Sequence, residues 1–209
     1  MGFKYHKRKY QVTVAKIFFI CFHAHMNHNI SFGANFIQKI PIKKYSYNTK
    51  TYNPLNANFI ELKPSNAKDV NALGDIAFDF GGDSFANNIY AQAKINASHP
   101  NDQYRYFALT EQDNDFEKLN VSQILGVALT KKKLDGVTEL ENLQVHPKFV
   151  YSWGPPSIKR VGSAILDCLK EFNDKIILNS SPNATKFYEK NSFMRIDPKI
   201  RRYFWSKEN

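Results

Sequence analysis

The chain has 209 residues, of which 43% are hydrophobic and 23% charged, and its formal net charge at pH 7 is +10. This composition suits one globular domain with a sizeable core, and it excludes collagen, coiled-coil and repeat architectures. Only two cysteines are present, Cys21 and Cys168. Their scarcity argues against a disulfide framework and favours a cytoplasmic location.

The positive charge is concentrated near the N-terminus. Residues 1–57 hold nine of the 29 basic residues and none of the 19 acidic ones, whereas residues 58–209 hold 20 basic and 19 acidic residues. We therefore expect a basic, poorly ordered extension over 1–57 and a folded domain over 58–209. The extension could contact nucleic acid or anionic lipid. The nearly neutral domain argues against nucleic acid as the main partner.

The N-terminal segment shows neither a membrane span nor a metal site. The apolar run 12–22 is interrupted by Lys16 and is too short to cross a bilayer, and no signal-peptide cleavage site follows it closely. His23, His25 and His28 lack the further ligands that a zinc site requires. We therefore expect no membrane contact and no bound metal.

The first predicted elements follow a polar segment. Residues 45–58 are predicted to be a linker, because they combine Asn, Thr and Tyr with a proline. Phe59–Lys63 alternates apolar and polar residues and predicts a strand. A helix is predicted next, with Ser65 as its N-cap.

Helices and strands then alternate along the chain. Residues 76–103 predict one or two helices broken at Gly81–Gly82. Strands are predicted at 104–110, 122–131 and 139–145, and a short hairpin at 194–205. This order predicts a mixed α/β fold with helices on both faces of a twisted sheet.

The stretch from Glu139 to Phe193 is the most informative. The strand 139–145 is followed by His146–Pro147, and a helix starts at 159–164. A helix start exposes unpaired N–H groups and a positive dipole end, which suit a phosphate. Gly162 would let the phosphate approach the backbone. A lone glycine that only permits close packing is the alternative interpretation.

This order of motifs resembles the GNAT superfamily of acetyl-CoA-dependent N-acetyltransferases. The family has a V-x-P strand end, then [QR]-x-x-G-x-[GA], then N-x-x-A-x-x-[LF]-Y-x-x-x-G-F. The corresponding stretches here are 145–147, 159–164 and 181–193. The resemblance implies the family's mixed, mostly antiparallel sheet and acetyl transfer to an amine.

The chain departs from the family pattern at several places. Lys159 replaces Arg or Gln, Ser181 replaces Asn, and Ser192 replaces Gly. We expect Asn191 to take the left-handed turn in place of that glycine. The loop 148–158 is longer than the usual link. Two of its aromatic residues are expected to pack over the cofactor: Tyr151 and Trp153.

The resemblance also implies roles for individual residues. A backbone N–H within 143–145 would polarise the thioester carbonyl, and Tyr188 would protonate the leaving thiolate. Glu139 or Glu141 would act as the base. Packing is the alternative role for Tyr188, and solvent exposure for the two glutamates. The residues expected to bind acetyl-CoA are Leu143, Gln144, Val145, Lys159, Arg160, Val161, Gly162, Ser163, Ala164, Ser181 and Phe187.

The function expected from the sequence is acetyl transfer from acetyl-CoA to the primary amine of a small molecule. Its acceptor pocket would be built from residues 70–103 and the last hairpin. Two alternatives stay open. One is acetylation of a macromolecule, such as a protein N-terminus, a lysine or aminoacyl-tRNA. The other is a non-catalytic acyl-CoA-binding module whose basic tail holds nucleic acid. The oligomeric state is also open, and a dimer is compatible with the sequence.

Overall fold

A computed structural model of the chain describes residues 33–82, 85–150 and 154–208. Within these ranges nine strands form: β1 Asn35–Ser46, β2 Thr51–Leu62, β3 Tyr104–Thr110, β4 Ile124–Lys132, β5 Thr138–Val145, β6 Ile158–Lys159, β7 Lys175–Asn179, β8 Met194–Asp197 and β9 Arg202–Ser206. The α-helices of the same ranges are α1 Ala67–Asp79, α2 Phe85–Ser98, α3 Val161–Glu171 and α4 Thr185–Lys190.

All nine strands belong to one sheet, in the order β6-β1-β2-β3-β4-β5-β7-β9-β8. Every neighbouring pair is antiparallel except β5 and β7, which run parallel. Helix α3 packs on one face of the sheet together with α4, and α1 and α2 pack on the other face. The predicted mixed, mostly antiparallel fold with helices on both faces is confirmed.

Local sequence explains where the helices lie. Val161, Ile165 and Leu169 recur every four residues along α3 and are all buried, so this helix turns one apolar face towards the sheet. Helix α1 begins one residue later than predicted. Its N-cap is Asn66, whose side chain accepts a hydrogen bond from the Lys68 N–H (2.9 Å), and not Ser65.

The segment predicted as a linker is part of the sheet. Strands β1 and β2 form a hairpin that closes between Ser46 and Thr51, and Ile42 and Ala57 are fully buried in the core. The domain boundary expected at residue 57 therefore falls inside β2. The sequence did not predict this hairpin, because lysines and two prolines interrupt the alternation of apolar and polar residues along its strands. Pro41 is tolerated because β6 pairs with β1 only beyond it, at Lys43 and Lys44.

The end of this hairpin projects beyond the neighbouring strand. Strand β3 pairs with β2 only from Asn58 onwards, so residues 43–54 form an extension that we call the arm. The arm contacts the loop that precedes α3. The Tyr45 N–H donates to the Ser157 carbonyl (2.8 Å), and the Tyr52 hydroxyl donates to the Pro156 carbonyl (2.8 Å). The N-terminal hairpin thus helps to fix the start of α3.

Within the described residues, no helix is both long and apolar enough to cross a bilayer.

Burial of the hairpin can be tested by substitution. Ile42→Ala should lower the free energy of unfolding by about 2–5 kcal/mol, because it removes a large side chain that is 1% exposed in the core. Lys39→Ala, on the same strand, should change it by less than about 0.5 kcal/mol, because that lysine is exposed. Urea unfolding would measure both values. Equal, small effects would mean that β1 does not belong to the core.

Candidate active site

A cleft opens where β5 and β7 separate. The two strands pair over only three positions, from Thr138–Ile176 to Leu140–Leu178, and the last five residues of β5 have no partner on that side. The resulting cleft has a volume of about 860 Å³. Its described lining residues are Phe80, Phe85, Asn87, Asn88, Leu143, Gln144, Val145, Pro147, Val150, Ser181, Asn183, Ala184 and Phe187.

The backbone of β5 turns unpaired groups into this cleft. A β-bulge leaves Glu141 without a partner in β4, and regular antiparallel pairing resumes at Asn142. The His146 N–H donates to the Leu125 carbonyl (2.9 Å), which makes this a hydrogen-bonded pair. Along an antiparallel ladder, hydrogen-bonded pairs alternate with non-hydrogen-bonded pairs, whose N–H and C=O groups point away from the partner strand. Leu143 and Val145 therefore direct their N–H and C=O groups away from β4, towards the gap.

The start of α3 lies beside the same gap. Val161, Gly162 and Ser163 occupy the first turn, where backbone N–H groups have no partner within the helix. The N–H of Ala164, in contrast, donates to the Arg160 carbonyl (2.8 Å). The N–H groups of Val161, Gly162 and Ser163 thus lack a partner within the helix, whereas the Ala164 N–H is engaged there. Val161 and Gly162 are buried, and none of the predicted binding residues 159–164 is among the described lining residues of the cleft.

Gly162 has a packing role as well. A Cβ atom at this position would lie 2.9 Å from Phe187 Cζ and 3.4 Å from Val145 Cγ2. Only glycine therefore lets α3 approach both the end of β5 and the aromatic ring of α4. The two interpretations of this glycine are compatible, because the close approach brings the helix start to the cleft wall formed by Phe187 and Val145.

The side chains of Lys159 and Arg160 are engaged elsewhere. Lys159 Nζ lies 4.1 Å from the centroid of the Tyr52 ring on the arm. Arg160 forms an ion pair with Asp167 two turns along α3 (3.4 Å) and adopts a left-handed backbone with φ of 70°. Such a conformation costs a non-glycine residue on the order of 1 kcal/mol, and residues held this way cluster at functional sites.

Tyr188 lies behind the cleft wall. It is 8% exposed, and its ring contacts those of Phe187 (centroids 5.0 Å apart), Phe193 (5.8 Å) and Tyr203 (6.2 Å). Burial raises the pKa of its phenol to about 12. Phe187 and Ser181, which were expected to bind acetyl-CoA, line the cleft, whereas Tyr188 is not among the lining residues.

Neither predicted base lines the cleft. Glu139 lies where β5 and β7 are still paired, and it forms an ion pair with Lys133 (3.0 Å). Glu141 is the bulge residue, and its pKa is raised by desolvation and by the nearby Glu139 carboxylate. The parallel pairing that holds Glu139 next to Ile177 keeps it at the closed end of the strand pair.

The buried side chain of His146 connects β5 to α1. The sequence did not predict a role for this residue. His146 Nε2 lies 2.9 Å from Asp79 Oδ2, and the Lys148 N–H donates to His146 Nδ1 (3.2 Å). Nδ1 is therefore the acceptor, and Nε2–H is the donor to Asp79. Burial and the Lys148 charge lower the pKa of His146, so the ring is neutral at physiological pH. Because both nitrogens are occupied, His146 anchors the strand end and is not a free base.

Helices α1 and α2 supply the opposite wall of the cleft. The Ala86 N–H at the start of α2 donates to Gln144 Oε1 (2.7 Å), so the side chain of Gln144 holds this helix beside β5. Phe80, Phe85, Asn87 and Asn88 lie within the range 70–103 that was expected to form the acceptor pocket. The last hairpin, also expected there, supplies no described lining residue.

Several predictions fall outside the described residues: Tyr151 and Trp153 of the long loop, and the histidines His23, His25 and His28. Among the residues that are described, no group of three metal-ligating side chains comes together.

The turn after α4 corrects one expectation. Ser192 itself adopts the left-handed conformation, with φ of 63°, whereas Asn191 keeps a negative φ of −99°. Asn191 Nδ2 instead donates to the Phe187 carbonyl at the end of the helix (2.8 Å). The chain therefore keeps the turn for which the family uses glycine, and it does so with a strained serine.

Replacing this serine by glycine should relieve the strain. We expect Ser192→Gly to raise the free energy of unfolding by about 1 kcal/mol, since glycine adopts positive φ without steric cost. Asn191→Gly is the matched control and should lower it, because it removes the bond to the Phe187 carbonyl. Thermal and urea unfolding would measure both. A destabilised Ser192→Gly variant would contradict the assignment.

Among the comparisons with known proteins, the one with solved structures bears on the fold. No protein-family model and no curated protein matches the sequence. A structure described as a GNAT-family acetyltransferase from Desulfovibrio desulfuricans superposes with a TM-score of 0.50 at 14% identity, covering 72% of this chain and 98% of its own. A GNAT-family acetyltransferase from Staphylococcus aureus has a TM-score of 0.46 at 16% identity with the same coverage. A GNAT-family acetyltransferase from Bacillus cereus has a TM-score of 0.48 at 15% identity, covering 72% and 97%. The chain has the GNAT acyltransferase fold.

Proposed function

We propose that the chain is an N-acetyltransferase that moves the acetyl group of acetyl-CoA to the primary amine of a small molecule. One observation carries this proposal. The unpaired backbone of Leu143 and Val145 faces a cleft, and the start of α3 approaches the wall of that cleft at Val145 and Phe187. Because one fold supports many functions, the argument rests on this site and not on the fold alone.

The dimensions and chemistry of the cleft fit acetyl-CoA. A volume of about 860 Å³ lies within the range typical of small-molecule and cofactor sites. The amide-rich pantetheine chain can hydrogen-bond to the free edge of β5 as an added strand does. The pyrophosphate can then accept from the N–H groups of Val161, Gly162 and Ser163. Phe187 closes the side of the cleft away from β5.

The strand end can also stabilise charge during the reaction. As the amine attacks, negative charge develops on the thioester oxygen. A backbone N–H of Leu143 or Val145 is held rigidly by the pairing with β4 and would donate to that oxygen. Because the donor is already oriented, it does not have to reorganise when the charge appears.

The lining favours a neutral amine. No ionisable side chain is found among the described lining residues, and four of them are aromatic or amide side chains from the C-cap of α1 and the first turn of α2. Such surroundings disfavour an ammonium ion and lower the pKa of a bound amine. Glu141, whose pKa is raised, would take the proton through water, and Glu139 stays the less favoured base because it is ion-paired.

Tyr188 would assist the departing sulfur. Its phenol stays protonated up to a pH near its raised pKa of about 12, so it would be present as a donor throughout the neutral range. It follows Phe187 directly in α4, and Phe187 lines the cleft. The competing role for Tyr188 is packing against the rings of Phe193 and Tyr203.

A charge substitution would test the phosphate site. Ser163→Glu places a carboxylate on the first turn of α3, where acidic residues stabilise a helix, so folding should be preserved. Its negative charge should weaken acetyl-CoA binding at least tenfold, about 1.4 kcal/mol. Ser163→Gln has nearly the same shape without the charge and should bind within about threefold of wild type. Isothermal titration calorimetry would measure both. Equal affinities for the two variants would exclude phosphate binding at this turn.

Removing the phenol would test Tyr188. Tyr188→Phe keeps the ring and its packing but has no hydroxyl to hydrogen-bond the departing sulfur, so kcat should fall by about 10²-fold or more. The affinity for acetyl-CoA should change little, because the hydroxyl acts mainly as the sulfur gains charge. In wild type, the raised pKa predicts no loss of kcat from this group between pH 7 and pH 10. A kcat for Tyr188→Phe within about threefold of wild type would make Tyr188 a packing residue.

A further inference from the structure

Two lysines stand opposite each other where the arm pairs with β6. Lys43 of β1 is directly opposite Lys159 of β6 in an antiparallel pair. Opposed residues place their side chains on the same face with Cβ atoms about 5 Å apart, where like charges repel. Within the described residues neither lysine forms an ion pair, although Lys39 and Lys44 of the same strand do. This arrangement is unfavourable unless an anion joins it.

Aromatic rings occupy the same face of the arm. Tyr45 is two residues from Lys43 and opposite Tyr52, so all three share one face of the hairpin. The rings of Tyr45 and Tyr52 have centroids 5.0 Å apart, and Lys159 Nζ lies over the Tyr52 ring. Tyr47 contacts Tyr45 edge-on and is 70% exposed. Two ammonium groups beside tyrosine rings form a surface suited to a phosphorylated nucleotide, since bases stack on such rings.

The position of this face connects it to the cleft. The arm projects from the end of the sheet where β3 ends at Thr110 and β4 begins at Ile124, which is also the end where β5 stops. Lys159 is two residues before the first turn of α3. A ligand whose pyrophosphate bonds to that turn would therefore bring any further phosphate of the same nucleotide near the arm.

We propose that Lys43 and Lys159, with the tyrosines of the arm, bind the 3′-phosphate and adenine end of CoA. The inference rests on the proposed function, because it requires acyl-CoA in the cleft. It assigns a ligand to the N-terminal hairpin and explains why two lysines stand opposite each other there. Each lysine donates to the phosphate oxygens, and the anion removes the repulsion between them.

The proposed contact can be tested from both sides, by removing the 3′-phosphate from the ligand or a lysine from the protein. Calorimetry on the full chain would compare CoA with 3′-dephospho-CoA. Wild type should bind CoA about tenfold more tightly, the value of one charge-assisted contact. In Lys43→Ala the affinity for CoA should fall, whereas the affinity for 3′-dephospho-CoA should not change. The two ligands should therefore bind almost equally. Lys132→Ala removes an exposed lysine at the far end of β4 and should keep the tenfold preference.

A stability measurement separates binding from folding. Without ligand, Lys43→Ala should melt no lower than wild type, because it removes a like-charge neighbour of Lys159. Adenosine 3′,5′-bisphosphate should compete with CoA. If it binds without competing, the phosphate site belongs to another ligand and the inference is wrong.

The remaining outcomes distinguish the two proposals. Tight binding of CoA and 3′-dephospho-CoA with equal affinity by wild type would overturn this inference and leave the proposed function standing. An unchanged preference for CoA in Lys43→Ala would do the same. If wild type binds neither ligand, the proposed function fails and this inference fails with it.

Discussion

The parting of β5 from β7 is the constraint on which the candidate site depends. Parallel pairing stops after Leu140 and Leu178, and the bulge at Glu141 follows immediately in the same strand. A strand that loses its partner inside a sheet leaves polar backbone groups exposed, which is costly unless a ligand or water satisfies them. The separation is kept because both strands are secured from their other sides, β5 by β4 and β7 by β9. Thus the antiparallel strands on either side hold open the single parallel junction of the sheet.

The cleft also depends on close packing between α3 and α4. Gly162 has no room for a Cβ next to Phe187, and Arg160 enters α3 in a left-handed conformation. Both features bring the start of α3 close to the end of β5, and both would be unfavourable in an ordinary helix start. The anchor between His146 and Asp79 fixes the same strand end from the opposite face of the sheet. Because these contacts come from three different elements, the N–H groups of the first turn are oriented before a ligand arrives.

Sequence reasoning predicted the parts of the fold that depend on local pattern. The strand at 104–110 has the predicted bounds, and the breaks at Gly81 and Gly82 coincide with positive φ angles. It failed where partners distant in the sequence decide the structure. Of the hairpin of residues 35–62, only the end of β2 was predicted, as the strand at 59–63. The rest was not predicted, because the side that faces the core becomes recognisable only once β3 lies beside it.

The candidate site was predictable to a similar degree. Of the residues predicted to bind acetyl-CoA, positions 143–145, Ser181 and Phe187 line the cleft, whereas 159–164 do not. The contact between Asp79 and His146 joins residues 67 apart and has no local pattern, and the ion pair that holds Glu139 away from the cleft is also invisible in a motif. The charge asymmetry at residue 57 suggested a tail, yet three of the nine basic residues responsible, Lys39, Lys43 and Lys44, lie on β1, where Ile40 and Ile42 are buried.

The burial of Tyr188 limits what this residue can do. A phenol with a pKa of about 12 is a weaker acid than a free tyrosine, whereas a thiol has a pKa near 8.5. Full proton transfer from Tyr188 to a thiolate would therefore be uphill by about 5 kcal/mol. A hydrogen bond that strengthens as the sulfur gains charge requires no such transfer and still lowers the barrier. On this argument Tyr188 orients and stabilises the leaving sulfur, and the proton that the attacking amine loses, relayed through water and Glu141, is the one that the thiolate finally carries.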